Sequence, residues 1–183
     1  AYRVKLADQL MEGMKLLTTP AEEEQDVEEV EEVVRDIATN MLAKVPSPWN
    51  TEQVKLSTKG KFSRAAITIF FNQEIERMQR VLKLVRNTLQ ALLLSMSGTQ
   101  QRNDRTRVLL NTLFEAMVPA EWLDVSWNVT SLGEWIANLM QRHDHLAKWM
   151  AKKSSNQYWL GGMFNPHGFL LSLKQEAGNG KRD

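Results

Sequence analysis

Residues 65–96 carry the longest regular hydrophobic pattern in this protein of 183 residues. Apolar side chains recur at alternating steps of four and three residues, at Phe71, Ile75, Met78, Leu82, Val85, Leu89, Leu92 and Met96. A repeat of this kind is typical of one buried helix face. A helix of about 30 residues is about 45 Å long, more than the width of a 100-residue domain. We therefore expect this helix to join two bodies or to pair with another long element.

Four further apolar residues widen this stripe beyond the seam of a two-stranded coiled coil. They are Ile67, Phe70, Val81 and Leu93. A wider apolar face favours burial against more than one neighbour. A stand-alone helical adaptor that dimerises through residues 71–96 is the alternative, and it predicts a stable dimer or oligomer.

Shorter helical patterns precede this segment. Residues 8–17 carry Leu10, Met11, Met14 and Leu17 at helical spacing, and a capping box at Thr19-Pro20-Ala21-Glu22 predicts the start of the next helix. The apolar stripe of that helix is Val27, Val30, Val34, Ile37, Met41 and Leu42. Pro46 and Pro48 end it, and Trp49 and Val54 in the following connector are expected anchors into a neighbouring core.

Three more helices are predicted downstream. The first covers about 106–117 with Val108, Leu109, Leu113, Phe114 and Met117 inward. The second opens with a capping box at 131–134 and faces its core with Leu132, Trp135, Ile136, Leu139, Leu146 and Trp149. The third begins at Pro166 and includes Phe169, Leu170 and Leu173. Because no long alternating segment occurs, the predicted fold is all-α, a helical segment joined by the long helix to a helical bundle.

Composition excludes several classes of function. The protein has no cysteine, so it has no disulfide, no thiol nucleophile and no zinc site of the cysteine type. Its net charge is +1, but residues 22–36 hold nine acids against Arg35. The remaining basic residues are scattered among acids without a basic stripe, so we expect no nucleic-acid partner. No apolar run approaches the roughly 18 residues of a membrane span, so we expect no membrane partner.

The residues that could form a metal site or a phosphate loop do not have the sequence spacing that such sites need. His143 and His145 are two residues apart and point to different sides of a helix, so a surface location is favoured over a metal site. Gly161-Gly162 and Lys59-Gly60-Lys61 lack the Gly-Lys-Ser/Thr ending of a phosphate loop. We predict no catalytic residue, no cofactor and no metal, and therefore no enzymatic activity of this segment. An unrecognised enzyme would instead need a deep pocket with paired titratable groups.

Residues 158–170, with four aromatic residues, three glycines and a proline, do not fit an ordinary amphipathic element. They follow Val118-Pro119-Ala120-Glu121-Trp122, Ser126-Trp127 and Leu132-Gly133-Glu134-Trp135 in the order of motifs that resembles the C-terminal region of dynein heavy chains. Upstream, residues 42–50 with 53–54 are similar to the helical lid of the sixth AAA+ module, and residues 71–82 resemble the segment where that lid enters the C-terminal domain. The resemblance covers most of the sequence.

The resemblance implies that residues 1–64 are the C-terminal part of the lid, 65–177 the helical half of the C-terminal domain, and 178–183 a tail. It implies a non-catalytic structural part of a minus-end-directed, ATP-driven microtubule motor, which braces the AAA+ ring and modulates force or processivity. The nucleotide sites of such a motor lie outside this chain. The implied partners are the other AAA+ modules of the heavy chain, intermediate and light chains, and microtubules.

The form of residues 158–170 favours an axonemal heavy chain, which implies the cytoplasm, the cytoskeleton and the cilium axoneme as locations. The polar residues 99–104 depart from a hydrophobic stretch that the family usually has after Gly98. The candidates for structural or interface roles are Phe71, Ile75, Met78, Leu82, Pro119, Trp122, Trp127, Trp135, Trp159, Gly162, Phe164, Pro166 and Phe169.

Overall fold

The computed structural model describes residues 20–50, 52, 54, 65–152 and 158–179, without the side chains of 20–26, 152 and 179. Its helices are α1 (Pro20–Lys44), α2 (Ala66–Met96), α3 (Asp104–Phe114), α4 (Ala120–Leu123), α5 (Leu132–Lys152) and α6 (Pro166–Asn179), with a 3₁₀ turn at Leu160–Gly162. An isolated bridge joins Met117 and Ser131, and these residues form no strand. The prediction of an all-α fold is confirmed.

Parts of the sequence interpretation lie outside the described residues. They are the predicted helix over residues 8–17, the cap residue Thr19, the segment Lys59-Gly60-Lys61 and Gln53. Among the helices that the structure does describe, none combines the length and the apolar character needed to cross a membrane.

Helix α2 is the centre of the fold, because α1, α3, α4, α5 and α6 all pack against it. Every predicted stripe residue from Phe71 to Leu92 is fully buried, and Met96 is 8% exposed. Phe70 and Val81 are also buried, while Ile67 and Leu93 pack against the same core from its edge. The predicted bounds of this helix and its burial against several neighbours are therefore confirmed.

The helix ends follow from local sequence. Helix α1 stops at Lys44 before Pro46, and α2 stops before Gly98, whose φ of +74° is a left-handed conformation that favours glycine. Helix α3 begins with a capping box that the sequence did not reveal, in which Asn103 accepts from the amide of Thr106 and Thr106 accepts from the amide of Asn103. At the start of α5, Ser131 Oγ accepts from the amide of Glu134 at 3.3 Å.

Three residues predicted to face inward from the helix after Gly98 are exposed. Val108 is 62%, Phe114 49% and Met117 51% exposed, so that prediction was wrong for these residues. The helix ends at Phe114, and Ala116 then turns the backbone with a φ of 54°, which removes Met117 from the helical face. The face that α3 does bury holds Thr106, Leu109 and Leu113, with spacings of three and four residues.

The N-terminal end of the α1 stripe also departs from expectation. Val27 is 54% exposed, whereas Val34, Ala38 and Met41 further along the helix are buried. Val30, Ile37 and Leu42 pack at the edge of the core. Helix α1 therefore buries Val34, Ala38 and Met41 in the core that it forms with α2, while Val27 is largely exposed.

Replacing Leu82 by alanine should destabilise the protein by about 2–5 kcal/mol, because Leu82 is fully buried in the middle of α2. The matched control is Glu28→Ala on the exposed side of α1, which should stay within about 0.5 kcal/mol. Urea unfolding followed by circular dichroism measures both. Small and equal losses would show that the α2 stripe is not a packed core.

Candidate functional site

The turn at residues 158–165 is held on α2 by one buried carboxylate. Glu74 is 2% exposed, and its two oxygens accept hydrogen bonds from the backbone amides of Phe164 at 2.6 Å and Asn165 at 3.2 Å. Hydrogen bonds to a charged group are stronger than neutral ones, and a carboxylate that accepts two amides is fixed in orientation. Glu74 therefore links two segments that are 90 residues apart in the sequence.

Burial raises the pKa of Glu74 above its ordinary value of 4.5, because the ionised form loses contact with water. The amides of Phe164 and Asn165 and the positive charges of Arg77 and Arg142 act in the opposite direction. These donors and charges are the compensation that a buried carboxylate needs.

Arg142 of α5 holds the other side of the same turn. Arg142 is 7% exposed, and its Nη2 donates to the carbonyl of Gly161 at 3.0 Å. Its guanidinium lies 4.2 Å from the ring centre of Trp127 and 5.6 Å from that of Trp159. Burial lowers the pKa of Arg142, while Glu74 raises it. The arginine thus combines a backbone hydrogen bond with a stacked aromatic contact.

The local sequence of the turn explains its backbone shape. A Cβ on Gly162 would lie 2.1 Å from the Trp159 ring, so only glycine allows the ring to cover this backbone. Asn165 caps α6, since its Oδ1 accepts from the amide of Gly168 at 3.0 Å, and Pro166 is the first helical residue. The prediction that the last helix begins at Pro166 is confirmed.

The aromatic side chains around the turn form two contact groups. Trp135 stacks on Trp127 at 5.4 Å between ring centres and lies 5.2 Å from Trp122. The indole of Trp122 donates to Thr88 Oγ1 of α2 at 3.0 Å, which satisfies a fully buried donor. The second group joins Phe71, Trp149, Tyr158 and Phe169, with Phe71 and Trp149 stacked at 4.3 Å.

The structure brings most of the predicted site residues into one continuous core. Fully or nearly fully buried are Phe71, Ile75, Met78, Leu82, Pro119, Trp122, Trp135, Gly162 and Phe169. Trp127 and Phe164 are half-buried, Trp159 is 38% exposed, and Pro166 is exposed. Their roles at an interface with other parts of a larger protein stay a prediction.

Sequence reasoning missed the two charged residues that hold the turn. Glu74 lies between Phe71 and Met78 on the apolar stripe of α2, and Arg142 lies between Leu139 and Leu146 on the stripe of α5. A charged residue at a stripe position was the available signal, because such a residue is buried when the stripe is buried and then needs a partner. The sequence did not indicate which partner.

A second set of contacts joins α1 and its following connector to the rest of the fold. Arg86 of α2 donates to the carbonyl oxygens of Leu42 at 3.2 Å and Val45 at 2.7 Å, at the C-terminal end of α1. A guanidinium there satisfies carbonyls that the helix leaves unpaired. Trp49 stacks on His143 of α5 with ring centres 4.4 Å apart and an angle of 6° between the rings. The expected anchoring by Trp49 is confirmed.

The histidine pair lies differently from the expected surface location. His143 and His145 are both half-buried, and burial lowers the pKa of each. Within the described ranges, no group of three or more histidine, aspartate, glutamate or cysteine side chains could hold a metal ion. His143 instead packs against Trp49, a contact that the spacing of the two histidines did not predict.

Comparison with known proteins identifies the family of this sequence. The family model for the C-terminal domain of dynein heavy chains matches residues 4–181. The sequence is 36% identical over 178 residues to mouse dynein axonemal heavy chain 5, which covers 96% of this protein and 4% of that relative. It is 36% identical over 155 residues to the gamma chain of the flagellar outer arm dynein of Chlamydomonas reinhardtii, covering 84% of this protein and 4% of the relative.

Human dynein axonemal heavy chain 8 is 34% identical over 147 residues, which covers 80% of this protein and 3% of that relative. The sequence thus spans only a few per cent of the length of these relatives. The described residues form a helical domain built on one long helix, with an aromatic turn packed on that helix. The protein belongs to the family of C-terminal domains of dynein heavy chains, and the predicted resemblance is confirmed.

Glu74→Ala should cost about 2–5 kcal/mol, because it leaves the amides of Phe164 and Asn165 without their acceptor and removes the negative charge that acts on Arg142. Glu76→Ala is the matched control, two residues along the same helix and exposed, with an expected change within about 0.5 kcal/mol. Chemical unfolding measures both variants. A loss at Glu74 no larger than the loss at Glu76 would refute the anchoring role.

Gly162→Ala should destabilise the protein by about 1–3 kcal/mol, because the added methyl group overlaps the Trp159 ring. Gly133→Ala, at an exposed helical position with nothing within 4 Å of the new methyl group, should instead stabilise by about 0.4–1 kcal/mol. Thermal and urea unfolding of the two variants give the comparison. Opposite signs are expected, and a neutral Gly162→Ala would contradict the close contact.

Proposed function

We propose that this protein is a non-catalytic structural segment of a dynein heavy chain, a minus-end-directed ATP-driven microtubule motor. Its role is to brace the AAA+ ring and so to modulate force or processivity. The family match and the named axonemal and flagellar relatives support the parent protein. The proposed partners are the other AAA+ modules of the same heavy chain and, through the parent, intermediate and light chains and microtubules. The relatives' names favour the cytoskeleton of a cilium or flagellum as the location.

The observation that carries the bracing role is the continuity of α2 between two clamps. Glu74 holds the turn before α6, and Arg86 holds the end of α1. The two residues are about 18 Å apart along the helix axis. A continuous helix resists bending between such points because each of its turns is closed by backbone hydrogen bonds. A displacement at one clamp is therefore passed on to the other.

In this proposal, residues 1–64 belong to the lid of the sixth module, residues 65–177 to the C-terminal domain, and residues 178–183 to a tail. Helix α6 continues through Asn179. Arg86 and the stacked pair Trp49 and His143 join the two proposed parts. The division between them is a proposal about the parent protein.

The alternative of a dimerising helical adaptor has less support. It needs the apolar stripe of α2 to be available to a second copy, whereas Ile75, Met78 and Leu82 are covered by helices of the same molecule. The hydrogen bonds that Glu74 and Arg142 make with the aromatic turn already hold α2 and α5 together within one molecule.

A Gly-Pro pair in place of Arg80-Val81 should interrupt α2 between the two clamps at a cost of roughly 3 kcal/mol or more. In the intact motor we expect altered stall force or processivity with basal ATP turnover retained. Single-molecule motility and an ATPase assay on the same preparation measure the two effects.

Arg80→Ala is the control, because Arg80 is exposed and alanine preserves the helix. This control motor should move and stall like the wild type. If the motor with the Gly-Pro pair also moves and stalls like the wild type, the bracing role is wrong.

A further inference from the structure

A groove of about 760 Å³ lies between the first half of α1, the C-terminal end of α2 and helix α3. Leu92 and Met96 of α2 form its buried floor. Its sides are lined by Val27 and Val30 from α1 and by Leu110 from α3, and Val27 is 54% exposed. Contiguous apolar side chains of this kind mark an interaction surface, whereas single exposed apolar residues do not.

Helix α3 extends this apolar surface beyond the groove. Phe114 follows Leu110 by one helical turn and is 49% exposed. It lies on the side of α3 that carries Arg107 and Asn111, which both line the groove. The apolar surface is therefore longer than the groove itself. An elongated surface of this kind suits a helix that lies along it.

The charge around the groove is unbalanced on one side only. On the α3 side, Arg102 pairs with Glu31, and Arg107 Nη2 lies 3.6 Å from an oxygen of Asp104. Helix α1, on the other side, holds eight acids and no basic residue between residues 22 and 32. Of the acids of α1 whose side chains the structure describes, only Glu31 forms an ion pair with another described residue. The α1 wall therefore carries negative charge that the described residues do not match.

We propose that the groove binds a basic amphipathic helix of a partner protein. Apolar side chains of that helix, three and four residues apart, lie on Leu92 and Met96, as in other complexes where a helix fills an apolar groove. Its lysine or arginine side chains lie beside Glu28, which neighbours Glu31 on the surface of α1. The charges select and orient the partner, and the apolar contact supplies most of the affinity. This inference does not depend on the proposed motor function.

A second copy of this protein is a poorer occupant of the groove. A symmetric dimer through this face would bring two copies of α1 close together. Each copy holds eight acids and no basic residue between residues 22 and 32. Like charges across an interface repel each other and disfavour the contact. The charge of α1 therefore favours a partner of opposite charge over a second copy.

A synthetic peptide tests the proposal on the 183-residue protein. The probe is a fluorescein-labelled peptide of about 14 residues, about 21 Å long as a helix, with leucines at alternating steps of three and four residues and lysines on both flanks. Fluorescence anisotropy measures its binding at two salt concentrations. We expect saturable one-to-one binding that weakens as salt increases.

Two control peptides separate groove binding from general charge attraction. One has the same residues in an order without an apolar face, and the other has glutamate in place of every lysine. Neither should show saturable binding, because the first lacks the apolar stripe and the second lacks the positive charge. Absence of saturable binding by the probe, or equal binding by either control peptide, would overturn the proposal.

A pair of valine variants tests the apolar contact. Val27→Asn should weaken binding of the probe about fivefold or more, because Val27 lines the groove and loses its apolar contact with the peptide. Val33→Asn is the matched control, since Val33 is 48% exposed on α1 and does not line the groove. Its effect should stay within about twofold. Equal effects of the two substitutions would contradict binding in the groove.

A pair of charge reversals tests the contribution of α1. Glu28→Lys and Asp36→Lys change the net charge by the same amount, but Asp36 lies on the side of α1 opposite to Val27. Glu28→Lys should weaken binding about threefold or more, and Asp36→Lys should weaken it less. Equal losses would show only general attraction and would overturn the proposed orientation. Sedimentation that reveals a dimer which Val27→Asn dissociates would assign the groove to a second copy instead.

Discussion

The fold depends on one charged interaction inside an apolar core. The carboxylate of Glu74 accepts hydrogen bonds from the amides of Phe164 and Asn165. Arg142, whose charge acts on Glu74, donates to the carbonyl of Gly161 in the same turn. The aromatic turn presents backbone polar groups to the core, and burying these groups without partners would cost several kcal/mol. The two charges supply those partners. They therefore decide where the turn lies on α2, while the aromatic rings fill the space around it.

In the second half of α2, another charged side chain binds backbone groups of a neighbouring helix. Arg86 donates to the last carbonyls of α1, so a positive charge meets the negative end of a helix. Along α2, the apolar stripe supplies most of the stabilisation, and Glu74 and Arg86 fix which elements lie where. This division of roles makes α2 a connector between the first part of the sequence and the aromatic turn. The bracing role proposed for this segment of a dynein heavy chain rests on this connection.

Much of the fold could be predicted because its signals are local. The stripe from Phe71 to Met96 repeats over many turns, and Pro46, Gly98 and Pro166 mark helix ends through their backbone chemistry. The partners of Glu74 could not be predicted, because they are 90 residues away and are backbone amides that leave no mark in the sequence. The inward side of α3 was assigned wrongly at Val108 and Phe114. In a helix of 11 residues with apolar residues on several sides, packing decides which side is buried.

Native-state hydrogen exchange at the turn tests the central claim most directly. In the wild-type protein, the amides of Phe164 and Asn165 should be protected, since both donate to a buried carboxylate. In Glu74→Ala their exchange should accelerate about tenfold or more relative to the amide of Val45, which donates to Met41 at the end of α1. Unchanged protection at Phe164 and Asn165, or an equal acceleration at Val45, would show that Glu74 does not hold the turn in place.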